Sequence, residues 1–347
     1  MKKLTALVLV CIMMLAVAAP VFASELKIED EINQTKSYYT NIKKELTDWQ
    51  ETLICAATGA NVTYTAVPEL GENASAADYA KAILTQLALN QKPDDTQIQT
   101  LVQMQQEDGS FRHEIYSTMI CVEALQAVSA TYESGKATDY LLSQQQEDGG
   151  FAFPGATSGD VDTTAMAVTA LSVFIADGKV ADAIGNAVKF LQDKQLENGG
   201  FSANGKENAN STATVIMALV DIGQNPESEE WNYMVSSLLR FQNDDGSFRY
   251  TEDTETNDLA TVQAFMALES VRYGASVYKT LATNGTFHAK IDWEGLCPLF
   301  IVFGVFCVFS IVFWIFIFLH KPRSKTLEET KLDPELLPKL EDDEKEE

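Results

Sequence analysis

Asp160 and Asp162 stand two residues apart, directly ahead of the run Thr163-Thr164-Ala165-Met166-Ala167. Carboxylates in that position have an immediate physical use. The first backbone N–H groups of a helix lack intrahelical acceptors, and an Asp in front of an apolar helical run accepts them while opposing the helix dipole. On that reading Asp162 caps the helix. Comparable starts at Tyr116-Ser117-Thr118, Asn210-Ser211-Thr212 and Leu259-Ala260-Thr261 place small hydroxyl residues in the same place. Other chemistry-bearing residues are scattered. His113, His288 and His320 do not cluster with carboxylates or thiols, and Cys55 and Cys121 have no neighbour at metal-ligand spacing. No metal site and no cofactor are expected, and the two cysteines read as small buried hydrophobes.

The elements that must position these residues begin with two apolar segments. Met1-Lys2-Lys3, the apolar run Leu4 to Ala19 and the small-residue stretch ending at Ala23 form a signal-peptide pattern, with cleavage expected after Ala23. Leu296 to Leu319 holds no charged or amide side chain, and its 24 residues at ~1.5 Å of rise each can cross a ~30 Å hydrocarbon core. Lys321, Arg323 and Lys325 follow that segment, whereas Asp292 and Glu294 precede it. The positive-inside bias therefore puts the C-terminus in the cytoplasm. Four parts are expected: a signal peptide over 1–23, an extracellular domain over 24–295, a single-pass membrane helix over 296–319 and an acidic tail over 320–347. The net charge of −25 lies mostly on the exported part, which disfavours a nucleic-acid partner because phosphate binding needs a basic surface.

One turn recurs four times in that domain. It reads Gln105-Gln106-Glu107-Asp108-Gly109-Ser110-Phe111, then Gln145 to Phe151, Gln195 to Phe201 and Gln242 to Phe248, with glycines at 109, 149, 199 and 246. The spacing of 40, 50 and 47 residues is that of a two-helix hairpin with its loops. Each turn follows an amphipathic pattern, such as Ile98, Leu101 and Val102, and precedes an Ala-rich apolar helix ending in Ala-Leu, such as Ala124-Leu125 or Ala170-Leu171. The amphipathic helix should lie outside and the apolar one inside. Gly supplies positive φ, Asp or Asn bonds its own backbone, Phe plugs the gap between hairpins, and Gln meets loose helix-end groups of the neighbouring repeat. Asp78 to Leu89, Trp49 to Gly59 and a long amphipathic helix near Ile28 to Leu46 extend the pattern, giving about six inner helices with degenerate first hairpins.

The turn, its period and the segment Asp162-Thr163-Thr164-Ala165-Met166-Ala167 resemble the prenyltransferase and squalene-cyclase repeat superfamily over roughly Glu25 to Leu281. The chain looks most like the short, exported, repeat-only bacterial members. The resemblance implies an all-α fold, an α/α toroid of inner and outer helix rings, here followed by one C-terminal membrane helix. Squalene-hopene-type cyclases protonate an alkene with an Asp-x-Asp-Asp motif at an inner-helix start. In Asp160-Val161-Asp162-Thr163, Asp162 matches the proton donor and Thr163 replaces the last Asp. The zinc of protein prenyltransferases needs an Asp-x-Cys pair, which no repeat carries. Asp162, Thr163, Ala165, Met166 and Ala167 also match the signature of vitamin B12 carriers, whose separate small β domain is not expected among these residues.

By repeat equivalence Tyr116, Asp160, Asp162, Thr163, Asn210 and Asp258 are expected to line the mouth formed by inner-helix N-termini. Three readings stay open. The leading one is a non-catalytic toroid binding an unknown small molecule or surface protein; the second is an isoprenoid cyclase or transferase with Asp162 as general acid; the third is a structural surface module. The topology itself is testable: protease added to intact cells should remove the toroid and spare an epitope placed after Glu347. Loss of that epitope from sealed cells would overturn the orientation.

Overall fold

In the computed structural model, residues 28–63, 68–203 and 205–284 are described. The expected signal peptide, membrane helix and acidic tail lie outside them. Among the described residues no helix is long and apolar enough to cross a membrane.

Twelve α-helices follow one another in the described chain. They are α1 (28–37), α2 (Trp49–Ala57), α3 (Ala76–Ala88), α4 (Asp95–Gln103), α5 (Ile115–Ala127), α6 (Ser134–Ser143), α7 (Val161–Leu171), α8 (Gly178–Lys194), α9 (Ala209–Asp221), α10 (Met234–Leu239), α11 (Asp258–Tyr273) and α12 (Val277–Asn284). A two-stranded hairpin, β1 (Ser202–Ala203) and β2 (Lys206–Glu207), precedes α9. Helices α2, α3, α5, α7, α9 and α11 pack successively, and α11 returns against α2, so six apolar helices close an inner ring. The amphipathic helices α1, α4, α6, α8 and α10 take the outer positions. Between α2 and α3 no outer helix is present among the described residues, in keeping with the degenerate first hairpins. The long helix expected over Ile28 to Leu46 is shorter: after α1 the chain widens into a π-helical turn, Tyr38–Lys43, and ends at Lys44 with φ 62°. That widening buries Tyr38 and Tyr39, with the Tyr39 ring 5.8 Å from that of Phe265 on α11.

The recurring turn joins neighbouring repeats. Gln105 Nε2 donates to Gly109 O within its own turn and to Glu133 O in the next repeat, at 3.0 and 3.1 Å. Gln145 does the same with Gly149 O and Ala183 O, at 2.9 and 2.8 Å, and Gln195 with Gly199 O and Trp231 O, at 3.1 and 2.9 Å. Gln242 reaches Glu31 O on α1 at 3.0 Å, which joins the last repeat to the first. The turn glycines hold φ between 86° and 88°. A Cβ added at Gly149 would sit 2.8 Å from Asn186 O, so the position demands Gly for both backbone conformation and close approach. Each turn Phe is fully buried. Its N–H donates to an inner-helix threonine: Phe111 to Thr118, Phe151 to Thr164, Phe201 to Thr212 and Phe248 to Thr261, at 2.8 to 3.0 Å. The hydroxyl residues that recur at the inner-helix starts therefore register turn against helix.

Capping falls one or two residues earlier than expected. Asp160 is the N-cap of α7, its Oδ1 accepting from Thr163 N at 2.8 Å, whereas Asp162 lies inside the first turn. Glu114, Asn208 and Asn257 cap α5, α9 and α11 in the same way. Cys55 and Cys121 are both buried.

Two stability outcomes follow from these contacts. Gly149→Val should lower stability by at least ~1 kcal/mol through strain at positive φ, and an unchanged melting midpoint would contradict that geometry. Asp160→Ala should cost about 0.5 to 2 kcal/mol and Asp160→Asn little, as expected for a cap. Asp162→Ala should cost less than Asp160→Ala in the same melts; the reverse order would restore Asp162 as the cap.

Candidate functional site

The register set by Thr118, Thr164, Thr212 and Thr261 arranges the inward faces of four inner helices in rows. The residues two before those threonines form the first row: Tyr116, Asp162, Asn210 and Leu259. One helical turn deeper lie Ile120, Met166, Thr214 and Gln263, and below them Glu123, Thr169 and Met217. This is the i, i+4, i+7 stripe of an α-helix. Tyr116 and Leu259 of the first row and the residues of the two deeper rows line a cavity of about 260 Å³, together with Trp49 and Gln50 of α2 and Tyr278 of α12. Its wall is mostly apolar, with Met119, Met166, Met217 and Trp49 among the larger surfaces.

Glu123 is the one carboxylate among the described residues that line the cavity. It lies on the otherwise apolar inner face of α5, enclosed by protein while its side chain keeps some surface towards the cavity space. Burial pushes its carboxyl well above the ordinary glutamate range, and the negative charge of Asp221 adds to the effect. No hydrogen bond or cation among the described residues offsets that shift. Lys81, from α3, is engaged elsewhere: its Nζ lies 5.9 Å from the centre of the Trp49 ring and 5.8 Å from that of Tyr116. Such a setting favours the protonated form of the carboxyl over the ionised one. Tyr116 shares the setting, its phenol pushed up to about 12 by burial and by the charges of Glu123, Asp48 and Glu114.

The mouth residues expected from sequence separate on inspection. Tyr116 lines the cavity. Asp162 and Asn210 occupy the first row but do not line the cavity; they stand at its rim, each with a buried Oδ1 that has no hydrogen-bond partner among the described residues. The Asp162 carboxyl is raised by burial, with the Ser211 hydroxyl opposing the shift and the Asp160 charge adding to it. Asp160 and Thr163 serve the cap and Thr163 is buried, so neither faces the mouth. Asp258 is one residue out of register: the inward position is Leu259, and Asp258 points outward to an ion pair with Lys43 Nζ at 2.8 Å, which also engages the buried Glu51. Glu123 and Gln263, whose Oε1 is buried without a partner among the described residues, were not anticipated. The signal for Glu123 is an acid inside an Ala- and Leu-rich inner helix, five residues after the registering Thr118.

Known proteins give the arrangement a family. The solved type II terpene cyclase MstE from Scytonema superposes with a TM-score of 0.51 at 14% identity, covering 72% of this chain and 99% of that one. A protein from Actinoplanes superposes with 0.52 at 12% identity, covering 71% and 99%. At such identities the likeness is one of fold. The drimenyl diphosphate synthase of Streptomyces showdoensis is 26% identical over 181 residues, 47% of this chain and 33% of that enzyme, so the chain spans about a third of its length. The family model of the prenyltransferase alpha-alpha toroid domain matches residues 26–208 and 181–283. With that match extending over most of the chain, and with the inner and outer rings seen in the fold, this protein belongs to the prenyltransferase α/α-toroid family.

Proposed function

We propose that the toroid takes a neutral isoprenoid-class molecule into its central cavity and that Glu123 is the proton donor for an acid-initiated reaction upon it. The observation that carries this reading is the placement of one carboxyl, enclosed and with no cation beside it in the described lining, in an otherwise largely apolar cavity. The terpene-cyclase company of the fold supports the ligand class. The lining supports a neutral head group, because the hydroxyls of Tyr116, Thr169 and Thr214 can hydrogen-bond one, while no Lys or Arg among the described residues lines the cavity to balance a diphosphate. Asp162 belongs in this reading to the rim, outside the cavity lining.

The strength of the acid narrows the chemistry. A carboxyl raised by burial keeps its proton readily and gives it up reluctantly. It suits an oxygen base, such as an epoxide, better than an unactivated alkene, whose protonation demands a far stronger acid. Proton transfer to an epoxide oxygen opens the C–O bond, and a neighbouring alkene π bond supplies the electrons for ring closure. Loss of a proton from the resulting cation completes the balance. A second reading, carriage of the ligand without turnover, is favoured by the Asp221 charge, which resists ionisation of Glu123. The signal-peptide and membrane-segment patterns support an exported, membrane-tethered setting for either.

Incubation with an epoxidised polyprenol and its unepoxidised parent tests the proposal. Product is expected from the epoxide alone; Glu123→Gln should abolish turnover while retaining binding, because an amide cannot deliver the proton. Bound but unconverted epoxide would favour carriage, and turnover that survives Glu123→Gln but fails in Asp162→Asn would return the acid to the rim. Activity should decline as rising pH removes the Glu123 proton, at a pH above the ordinary glutamate range. Stability has the same origin. Between the ordinary glutamate value and the raised one, the folded protein binds one more proton than the unfolded chain, so stability falls as pH rises through that window. Glu123→Gln should therefore raise the melting midpoint, by a margin that widens from acid to neutral pH.

A further inference from the structure

Helix α12 belongs to neither the inner nor the outer set of helices, and its placement is unlike that of either. It packs on α5, α3 and α7 and on the turn at Ser172–Phe174 that ends α7. Asp221, the last residue of α9, holds its start: the carboxylate accepts from Ser276 N and from Ser276 Oγ, both at 2.7 Å. Lys279 Nζ donates to the Asp221 carbonyl as well. A buried carboxylate thus anchors α12 to the C-terminal end of an inner helix, the end away from the mouth.

From that anchor Tyr278 projects into the toroid. Its side chain lines the cavity beside Glu123 and is almost fully buried. Its hydroxyl accepts from Gln50 Nε2 at 2.9 Å, and its ring centre lies 6.4 Å from that of Trp49. The ring is therefore held by the α12 anchor on one side and by packing against Trp49 of α2 on the other, with the Gln50 bond as an addition. Unlike the rows of the inner helices, which bound the cavity sideways, this side chain enters from the end of the toroid.

We propose that Tyr278 is the specificity-determining residue for ligand length, the end wall against which the apolar tail of the ligand stops. This rests on the reading that the cavity takes an apolar ligand, but not on any reaction at Glu123. The residue acts by occupying volume: a tail that reaches the ring gains no further burial from additional carbons. Removing the ring opens space towards α12 and lets longer tails be buried, while removing the hydroxyl alone leaves the wall standing.

Straight-chain alcohols of graded length test this independently of isoprenoid chemistry. The full chain in detergent is labelled with a photoactivatable alcohol, labelling of the α5 peptide bearing Met119 and Glu123 is read by mass spectrometry, and unlabelled alcohols from eight to eighteen carbons compete. Partitioning into detergent is common to all proteins compared, so the ratio between variant and wild type at each length is the measurement. Wild type should show a cut-off beyond which longer alcohols compete no better. In Tyr278→Ala, and to a smaller extent in Tyr278→Leu, the cut-off should move to longer chains, with competition improving by up to about fourfold per added methylene relative to wild type. Tyr278→Phe should keep the wild-type cut-off. A variant that merely loosens the fold would weaken all lengths alike. An unchanged cut-off in both Tyr278→Ala and Tyr278→Leu, uniform weakening, or no α5 labelling in any protein overturns the proposal. A shifted cut-off without turnover of the epoxide leaves the length wall intact and removes the acid-catalysis reading instead.

Discussion

The turn glutamine is the contact on which the rest of this toroid depends. An isolated hairpin of this family cannot bury its apolar helix, because the inner helix needs neighbours on both sides and an outer helix behind it. The glutamine side chain spans one turn and the next repeat, satisfying carbonyls in both, and the adjacent glycine lets the two backbones approach more closely than a side chain would allow. The link between Gln242 and Glu31 has particular weight. It joins positions 211 residues apart in the chain, and with it a row of hairpins becomes a ring with no free end. Buried Phe248 and the stacked pair of Tyr39 and Phe265 add apolar area to the same seam.

Closure of the ring creates the cavity as a geometric consequence. Six inner helices cannot all meet on one axis, so the space between them must be filled by large side chains, by an added element or by a ligand. Here the first two solutions are used in part, since methionines and Trp49 narrow the wall and α12 enters with Tyr278, and about 260 Å³ remains open. The hydrogen bonds from the turn phenylalanines to the inner-helix threonines decide which residue of each helix turns inward. Once those are in place, the rows beginning at Tyr116, Asp162, Asn210 and Leu259 follow from helical geometry alone.

That geometry also separates the acidic residues by role. Asp160 and Asp258 are exposed and serve a cap and an ion pair. Asp221 is buried, raised to about 6 by desolvation against the opposing bonds from Ser276, and anchors α12. Glu123 is enclosed with no compensating partner among the described residues, an arrangement that costs stability. Asp162, at the rim, and Glu123, about two helical turns below it, thus stand at different depths with different surroundings.

The all-helical toroid, its four turns, the number of inner helices and the outer or inner assignment of each were legible in the sequence, because they rest on local periodicity and on turn chemistry that repeats. Tyr116, Asp162 and Asn210 were placed at the mouth end by the same repetition. Only the tertiary structure decided the rest. Whether Asp160 or Asp162 caps α7, and whether Asp258 or Leu259 turns inward, are one- or two-residue questions of helix phase. Phase is set by the bond from a distant Phe N–H to a threonine, not by the local pattern. Glu123 looked like an ordinary residue in an Ala-rich helix, since its environment is made by helices from across the ring. Helix α12 carries no repeat signature at all; its place is determined by Asp221, 55 residues earlier in the chain than the Ser276 it holds, a pairing that exists only after the ring has closed.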